Sequence, residues 1–305
     1  MKTGSPTGRR RALKRDARNG LTALAFLVPN LAGFLAFMLI PIVSGIILSL
    51  FKWDGANAPA FIGLRNFARL LRDSGFLKSL VTTFVYTGLT VPATVILSLL
   101  FAVLLTRDIR GSTGFRSVIF FPYVASIVAV SIVWQFLYSP EAGPINQTLM
   151  WLGVSNPPRW TSSKDTAIVA VSIMNVWRSA GYYMVLFIAG IQAIPTSLYD
   201  AGELDGANSA QRFWHITRPM LSPTTFFVLI ISIINSFQAF TSIYVMTGGG
   251  PGEATQVLVF RIYEEAFVNT NFGYASAQAT ILFAIVLIFT VFQFGSRERN
   301  VVYMA

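Results

Sequence analysis

Long runs without a charged residue recur along this chain, and they restrict its fold more than any other feature. Runs of 24 residues or more appear repeatedly, and about 20 apolar residues suffice to cross a bilayer as a helix. A soluble helix interleaves charges to solvate its outer face; these runs do not. Hydrophobic residues make up 54% of the 305 and charged residues only 12%, against about 25% charged in a soluble domain. Barrel strands would be about 10 residues long and alternate in polarity, so the sequence predicts an all-α, polytopic membrane protein. The absence of cysteine excludes disulfides and thiolate metal sites.

Six spans follow, at about 23–48, 80–105, 118–138, 167–190, 224–246 and 277–294. They form one membrane domain over 21–296, between a basic tail at 1–20 and a short tail at 297–305. The first apolar run is too long for a signal peptide, whose core runs about 7–15 residues. Residues 52–78 read as an external loop with an amphipathic piece, Asn66–Arg72. Residues 139–165 read as an external loop with turns, and 247–275 as an external loop with a flexible TGGGPGEA start. The placement of Lys and Arg tests this topology. With both termini in the cytoplasm, 14 of the 23 fall inside and eight outside, and Arg178 lies within the fourth span. The excess inside obeys the positive-inside rule. Topology thus accounts for the net charge of +10, and nucleic acid is an unnecessary partner.

One cytoplasmic segment is unlike the other connections. Residues 195–223 form a polar insert between two apolar spans, where short turns are usual. Ser197 is expected to N-cap a short helix, with Asp200 at its third position near the positive end of the dipole. Gly202 should loosen that helix. Asp205-Gly206 signals a turn. Asn208 and Gln211 have capping-box spacing for a second helix, which carries Phe213 and Ile216 on an apolar edge and stops at Arg218-Pro219. Pro223 fits the first turn of the fifth span. By itself, this pattern describes two short helices lying on the cytoplasmic surface.

The insert closely resembles the EAA loop of ABC importer permeases: EAA, three residues, G, nine residues, I, one residue, LP. Asp200, Ala201 and Gly202 stand for EAA, and Gly206, Ile216 and Pro219 follow at the same spacing. Three positions depart: Asp200 for Glu, Gly202 for Ala and Arg218 for Leu. Gly63-Leu64-Arg65-Asn66-Phe67, TGGGP and FGYASA resemble elements of the carbohydrate-uptake subfamily of maltose, multiple-sugar and glycerol-3-phosphate permeases. The resemblance implies a type I ABC importer permease fold in the cytoplasmic membrane of a prokaryote, embedded in lipid. It implies that Asp200, Ala201, Gly202, Glu203, Asp205, Gly206, Ala207, Phe213, Ile216 and Pro219 dock into a cleft on a dimer of cytoplasmic ATPase subunits. ATP and magnesium would bind those subunits. A second, homologous permease and an external solute-binding protein would complete the importer.

Polar residues inside spans are costly and usually face protein or a water-filled path. Asn175, Arg178 and Tyr182 are spaced to share one face of the fourth span, and Asn235, Gln238 and Ser242 one face of the fifth. With Gln278 of the sixth, these are the candidate substrate path; helix–helix hydrogen bonding is the alternative use. If Arg178 faces the cavity, it would favour an anionic sugar-like solute such as glycerol 3-phosphate or a glycerophosphodiester. No catalytic or metal constellation is present. His215, the sole histidine, falls in the insert, and no GxxxxGK[ST] phosphate loop occurs. No acidic residue lies within a span, so a self-sufficient, proton-coupled transporter lacks its relay.

Overall fold

The computed structural model describes residues 26–106 and 111–295. The basic tail at 1–20, the first three residues of the first expected span, the 297–305 tail and part of the 107–116 loop lie outside the described residues. Helix α1 (Phe26–Leu48) leads into a hairpin of two short strands, β1 (Phe51–Lys52) and β2 (Ala60–Phe61), with Phe51 opposite Phe61. Helix α2 (Arg65–Leu70) follows, where an amphipathic piece was expected. The Asn66 side chain donates to the Ser49 and Phe51 carbonyls at 2.8 and 2.9 Å, pinning α2 to the end of α1. Helix α3 (Ser74–Leu105) starts six residues before the expected span, because Asp73 caps it by accepting from the Gly75 and Phe76 amides.

The third expected span is not one helix. It divides into α4 (Ser112–Val124) and α5 (Ile127–Leu137), bent by 98°. Pro122 removes a donor from the last turn of α4, Ala125 is extended and Ser126 is non-helical. The loop that follows holds a helix the sequence reading lacked, α6 (Pro144–Trp151). Asn146 secures it by donating to the Pro140 and Pro158 carbonyls and accepting from the Trp160 indole at 2.8 Å. Helix α7 (Ala167–Gln192) matches the fourth span.

The insert forms α8 (Thr196–Leu204) and α9 (Ser209–Met220). Helix α10 (Ser222–Phe237) follows, bent by 65° from α9, with Pro223 in its first turn as expected. The fifth expected span stops at Phe237 and resumes as α11 (Thr241–Met246). No glycine or proline lies at this break. Tertiary packing makes it: the Phe240 ring sits 5.1–6.1 Å from the rings of Tyr244, Phe260 and Tyr263.

The Gly-rich stretch is a set of closed turns rather than a flexible start. Gly250 donates to Thr247, and Thr255 to Gly249. Beyond it, α12 (Leu258–Tyr263) continues through a π-helical turn, Glu264–Val268. Helix α13 (Phe272–Gly295) takes in FGYASA, five residues ahead of the expected start of the sixth span. Among the described residues, helices α1, α3 and α13 are each long and apolar enough to cross a membrane, and the number rises to six if each of three bent pairs is one span.

The two ends of the bundle are built differently. At the α3 C-terminus, Ala102 and Leu105 pack with Phe187, Ile194 and Leu221 beneath the insert. At its N-terminus, Leu70 and Phe76 pack with Leu258 and Tyr274. An ionic network covers that end, in which Arg261 lies 3.7 Å from Asp73 and 3.2 Å from Glu265. Burial alone would raise the Asp73 carboxyl. Hydrogen bonds from the Tyr274 hydroxyl at 2.6 Å and the Phe76 and Gly75 amides, with the Arg261 charge, outweigh burial and hold it below the usual carboxylate range. Between α7 and α4 the backbones nearly touch. A Cβ at Gly181 would lie 2.1 Å from the Ile119 carbonyl oxygen, the kind of approach that small residues permit in membrane bundles.

Candidate functional site

A cavity of about 270 Å³ lies among α3, α4, the start of α5, α7, α10 and α11. Most of the residues that line it carry an amide or a hydroxyl, and among the described residues the guanidinium of Arg178 is the one charged group there. Helix α7 contributes Asn175, Arg178, Ser179 and Tyr183, spaced at one helix turn. Asn175 Nδ2 donates to Ser242 Oγ at 3.0 Å, tying α7 to α11. Asn235 Nδ2 donates to the Tyr183 hydroxyl at 3.1 Å, tying α10 to α7. Opposite them, Thr90 and Ser236 share a hydrogen bond of 3.1 Å between α3 and α10.

Both helix breaks border this cavity. Tyr123 and Ile127 flank the first, and Gln238, Ala239, Phe240 and Thr241 span the second. A helix end leaves carbonyls without intrahelical donors. Arg178 fills one such vacancy by donating from a terminal guanidinium nitrogen to the Tyr123 carbonyl at 3.1 Å. Its Cζ also lies 5.1 Å from the Tyr123 ring centroid, within cation–π range.

Five of the candidate path residues, Asn175, Arg178, Asn235, Gln238 and Ser242, therefore line one cavity. Tyr182 does not. The inward face of α7 is centred on Asn175, Ser179 and Tyr183, so Tyr182 falls on the flank and stacks against Tyr123 at 4.5 Å. Gln278 does not line the cavity either; it is fully buried one turn after Tyr274. The sequence reading missed Tyr86, Thr90, Thr94 and Tyr123. For α3 a signal existed: Ser79, Thr83, Thr90, Thr94 and Ser98 repeat at helical spacing and are all buried. Their hydroxyls bond largely to their own helix, as Thr90 does to the Tyr86 carbonyl.

In the insert, α8 begins two residues earlier than expected. Pro195 occupies the cap position in a non-helical conformation, Ser197 lies inside the helix, and Asp200 falls in its second turn. Its end is a Schellman turn: Gly206 donates to the Glu203 carbonyl and Ala207 to that of Gly202, with Gly206 at φ +76. Both bonds of the expected capping box form, at 2.8 and 2.9 Å between Asn208 and Gln211. Arg218-Pro219 does not stop the second helix. A π-helical turn at Phe213–Thr217 shifts the pairing, Arg218 donates to Phe213, and α9 runs on to Met220. The widened coil relieves the crowding a proline ring brings.

Gly202 turns out to be a packing residue. A Cβ there would come within 3.1 Å of Ile216 Cδ1, so its absence lets α8 and α9 close on each other. Arg212 bridges the pair to Glu203 at 3.0 Å, and the Tyr199 and Thr217 hydroxyls meet at 3.0 Å. Gly202, Asp205, Gly206, Ala207 and Ile216 then line a shallow depression on the outer surface. Leu204 and Trp214 stand beside them, 90% and 56% exposed. Phe213 and Pro219 are half-buried, while Asp200, Ala201 and Glu203 face outward.

Apolar helices that surround a polar cavity, two of them broken beside it, are the architecture of a multi-pass membrane protein. Comparison with known proteins gives the family. Residues 55–297 match the family described as binding-protein-dependent transport system inner membrane component, and the chain belongs to that family. It is 36% identical over 280 residues to the probable ABC transporter permease protein YurN of Bacillus subtilis, covering 90% of this chain and 96% of that one. It is 35% identical over 287 residues to the sn-glycerol-3-phosphate transport system permease protein UgpA of Brucella abortus, covering 93% and 97%. The probable starch degradation products transport system permease protein AmyD of Thermoanaerobacterium thermosulfurigenes is 32% identical over 94% of this chain and 97% of its own. The fold matches a chain of the bacterial alginate ABC transporter solved with an alginate pentasaccharide-bound periplasmic protein. The TM-score is 0.82 at 21% identity, over 93% of this chain and 96% of that one.

Proposed function

We propose that this chain is the six-span permease subunit of an ATP-driven, binding-protein-dependent importer of a sugar or oligosaccharide in the cytoplasmic membrane of a prokaryote. Both termini lie in the cytoplasm. The insert at 195–223 docks on an ATPase subunit that binds ATP and magnesium. A second permease completes the path, and an external binding protein delivers the solute. The names of the relatives, covering starch degradation products and sn-glycerol 3-phosphate, support a hydroxyl-rich solute.

One observation carries this reading. The two helices that leave the insert, α7 and α10, are those that bring Asn175, Arg178 and Asn235 to the cavity. From Gln192 back to Arg178, and from Ser222 forward to Asn235, the separation is about 20 Å at 1.5 Å per residue. Unbroken helices over that length act as rods. When ATP closes the ATPase dimer, displacement of the insert reaches the cavity wall directly and opens it to the other side. Asn175, Asn235, Gln238 and Ser242 then offer amide and hydroxyl groups to sugar hydroxyls, and release them as the wall moves. Hydrolysis itself stays on the partner, since this chain has no phosphate loop.

The test is co-expression with the neighbouring ATPase and second permease. A tagged chain should retain both in detergent, and ATP-dependent sugar uptake into proteoliposomes should require all of them. Retention of neither subunit would sink the reading.

A further inference from the structure

Among the described residues, the cavity wall holds a cation with no counter-ion: no carboxylate lines the cavity, and no Asp or Glu lies within 4.0 Å of Arg178. The neighbours of Arg178 satisfy it only in part. One terminal nitrogen donates to the Tyr123 carbonyl, and the Tyr123 ring lies near the guanidinium, but Nε is buried without a hydrogen-bond acceptor. The side chain is half-buried, with its Nε shut off from solvent, and in a membrane segment an ionisable side chain without a charged partner marks a ligand pathway. The groups beside it on the wall, the Asn175 amide, the Ser179 hydroxyl and the Asn235 amide, suit hydroxyls rather than a second charge.

We infer that the transported solute supplies the missing counter-ion: it is a sugar-like molecule carrying an anionic group, a carboxylate or a phosphate, which Arg178 receives. This inference rests on the importer reading above and narrows its substrate class. A guanidinium fixed at one nitrogen presents its remaining donors in a set direction, and such forks match the two oxygens of a carboxylate or phosphate. The Tyr123 carbonyl and ring hold the fork in place, so the anionic group is oriented while amides and hydroxyls read the rest of the solute.

The experiment uses cells that carry the complete importer, compared with cells lacking only this chain. They are supplied with a plant hydrolysate supplemented with glucose 1-phosphate, glycerol 3-phosphate, galacturonate, glucose and maltose. Mass spectrometry identifies every solute whose accumulation depends on the chain. The expected result is an anionic solute, with the phosphate and carboxylate probes distinguishing the two forms. Its uptake should fall at least tenfold in Arg178→Gln, while Arg178→Lys keeps a measurable preference for the anionic over the neutral probes. Co-purification of the subunits shows whether each variant assembles. If Arg178→Gln does not assemble, the charge of the accumulated solute and the Arg178→Lys preference decide. A neutral solute accumulated by the wild type, or an anionic one whose uptake stays within twofold in an assembled Arg178→Gln importer, overturns the inference and leaves the importer reading standing. If no solute depends on the chain, the importer reading fails and takes the inference with it.

Discussion

The turn at Gly206 offers a graded test of how the insert works. Gly206 sits at φ +76, in the left-handed region, and nothing lies within 4 Å of where a Cβ would be. A substitution there meets no neighbour in this chain, so its cost is that of the backbone alone. For alanine that cost is about 1–2 kcal/mol, and it is less for asparagine, whose side chain tolerates this conformation. A β-branched residue such as valine is penalised more. A change of 1–2 kcal/mol alters the ratio of ordered to frayed α8–α9 pairs about 5–30-fold. Sugar uptake per ATP hydrolysed, in proteoliposomes holding the complete importer, should therefore rank Gly206→Asn near wild type, Gly206→Ala several-fold lower and Gly206→Val lowest. If what matters at this position is close approach of the ATPase, size decides and alanine outperforms asparagine. That order would refute the argument from turn geometry.

Two further outcomes follow from the packing and the ionic network. Gly181→Leu should abolish the thermal transition of the purified protein in detergent, because even a Cβ would lie 2.1 Å from the Ile119 carbonyl oxygen; a leucine variant that melts like wild type would contradict the α4–α7 contact. The Asp73 carboxyl is held below its ordinary value of 3.8, so its contribution to stability is complete above that value and is lost as pH falls through the lower folded value. Asp73→Asn should thus lower the melting temperature at pH 6 and narrow its gap to wild type as the pH drops below about 4; a gap constant with pH would show that the charge is not what matters.

Features set by residues close in sequence were legible before the structure. The Asn208–Gln211 capping box, the turn at Gly206 and the proline in the first turn of α10 all depend on neighbours within a few positions. Features set by distant contacts were not. Nothing in Gln238-Ala239-Phe240 announces a helix break; it arises because Phe240 packs among aromatic residues that come from α11 and α12. The phase of α7 was nearly right, but periodicity alone does not separate a face centred on Tyr182 from one centred on Tyr183, a neighbour 100° round the helix. Gln278 looked like a path residue because it is polar in an apolar helix, whereas its position beside Tyr274 buries it away from the cavity. Composition made the TGGGPGEA stretch look flexible, whereas backbone bonds from Gly250 to Thr247 and from Thr255 to Gly249 close it into turns.

The two interruptions beside the cavity bear on how such a protein diversifies. Where α4 gives way to α5 and α10 to α11, main-chain groups lie at the wall without helical partners. Main chain is the one part of a binding surface that point mutation leaves chemically unchanged. A lineage can therefore exchange the side chains around it, trading an amide for a hydroxyl or a cation for a neutral group, while keeping a constant set of donors and acceptors for whatever passes. With the cavity as the solute path proposed above, a new cargo would need a handful of replacements on α7, α10 and α11 rather than a new scaffold.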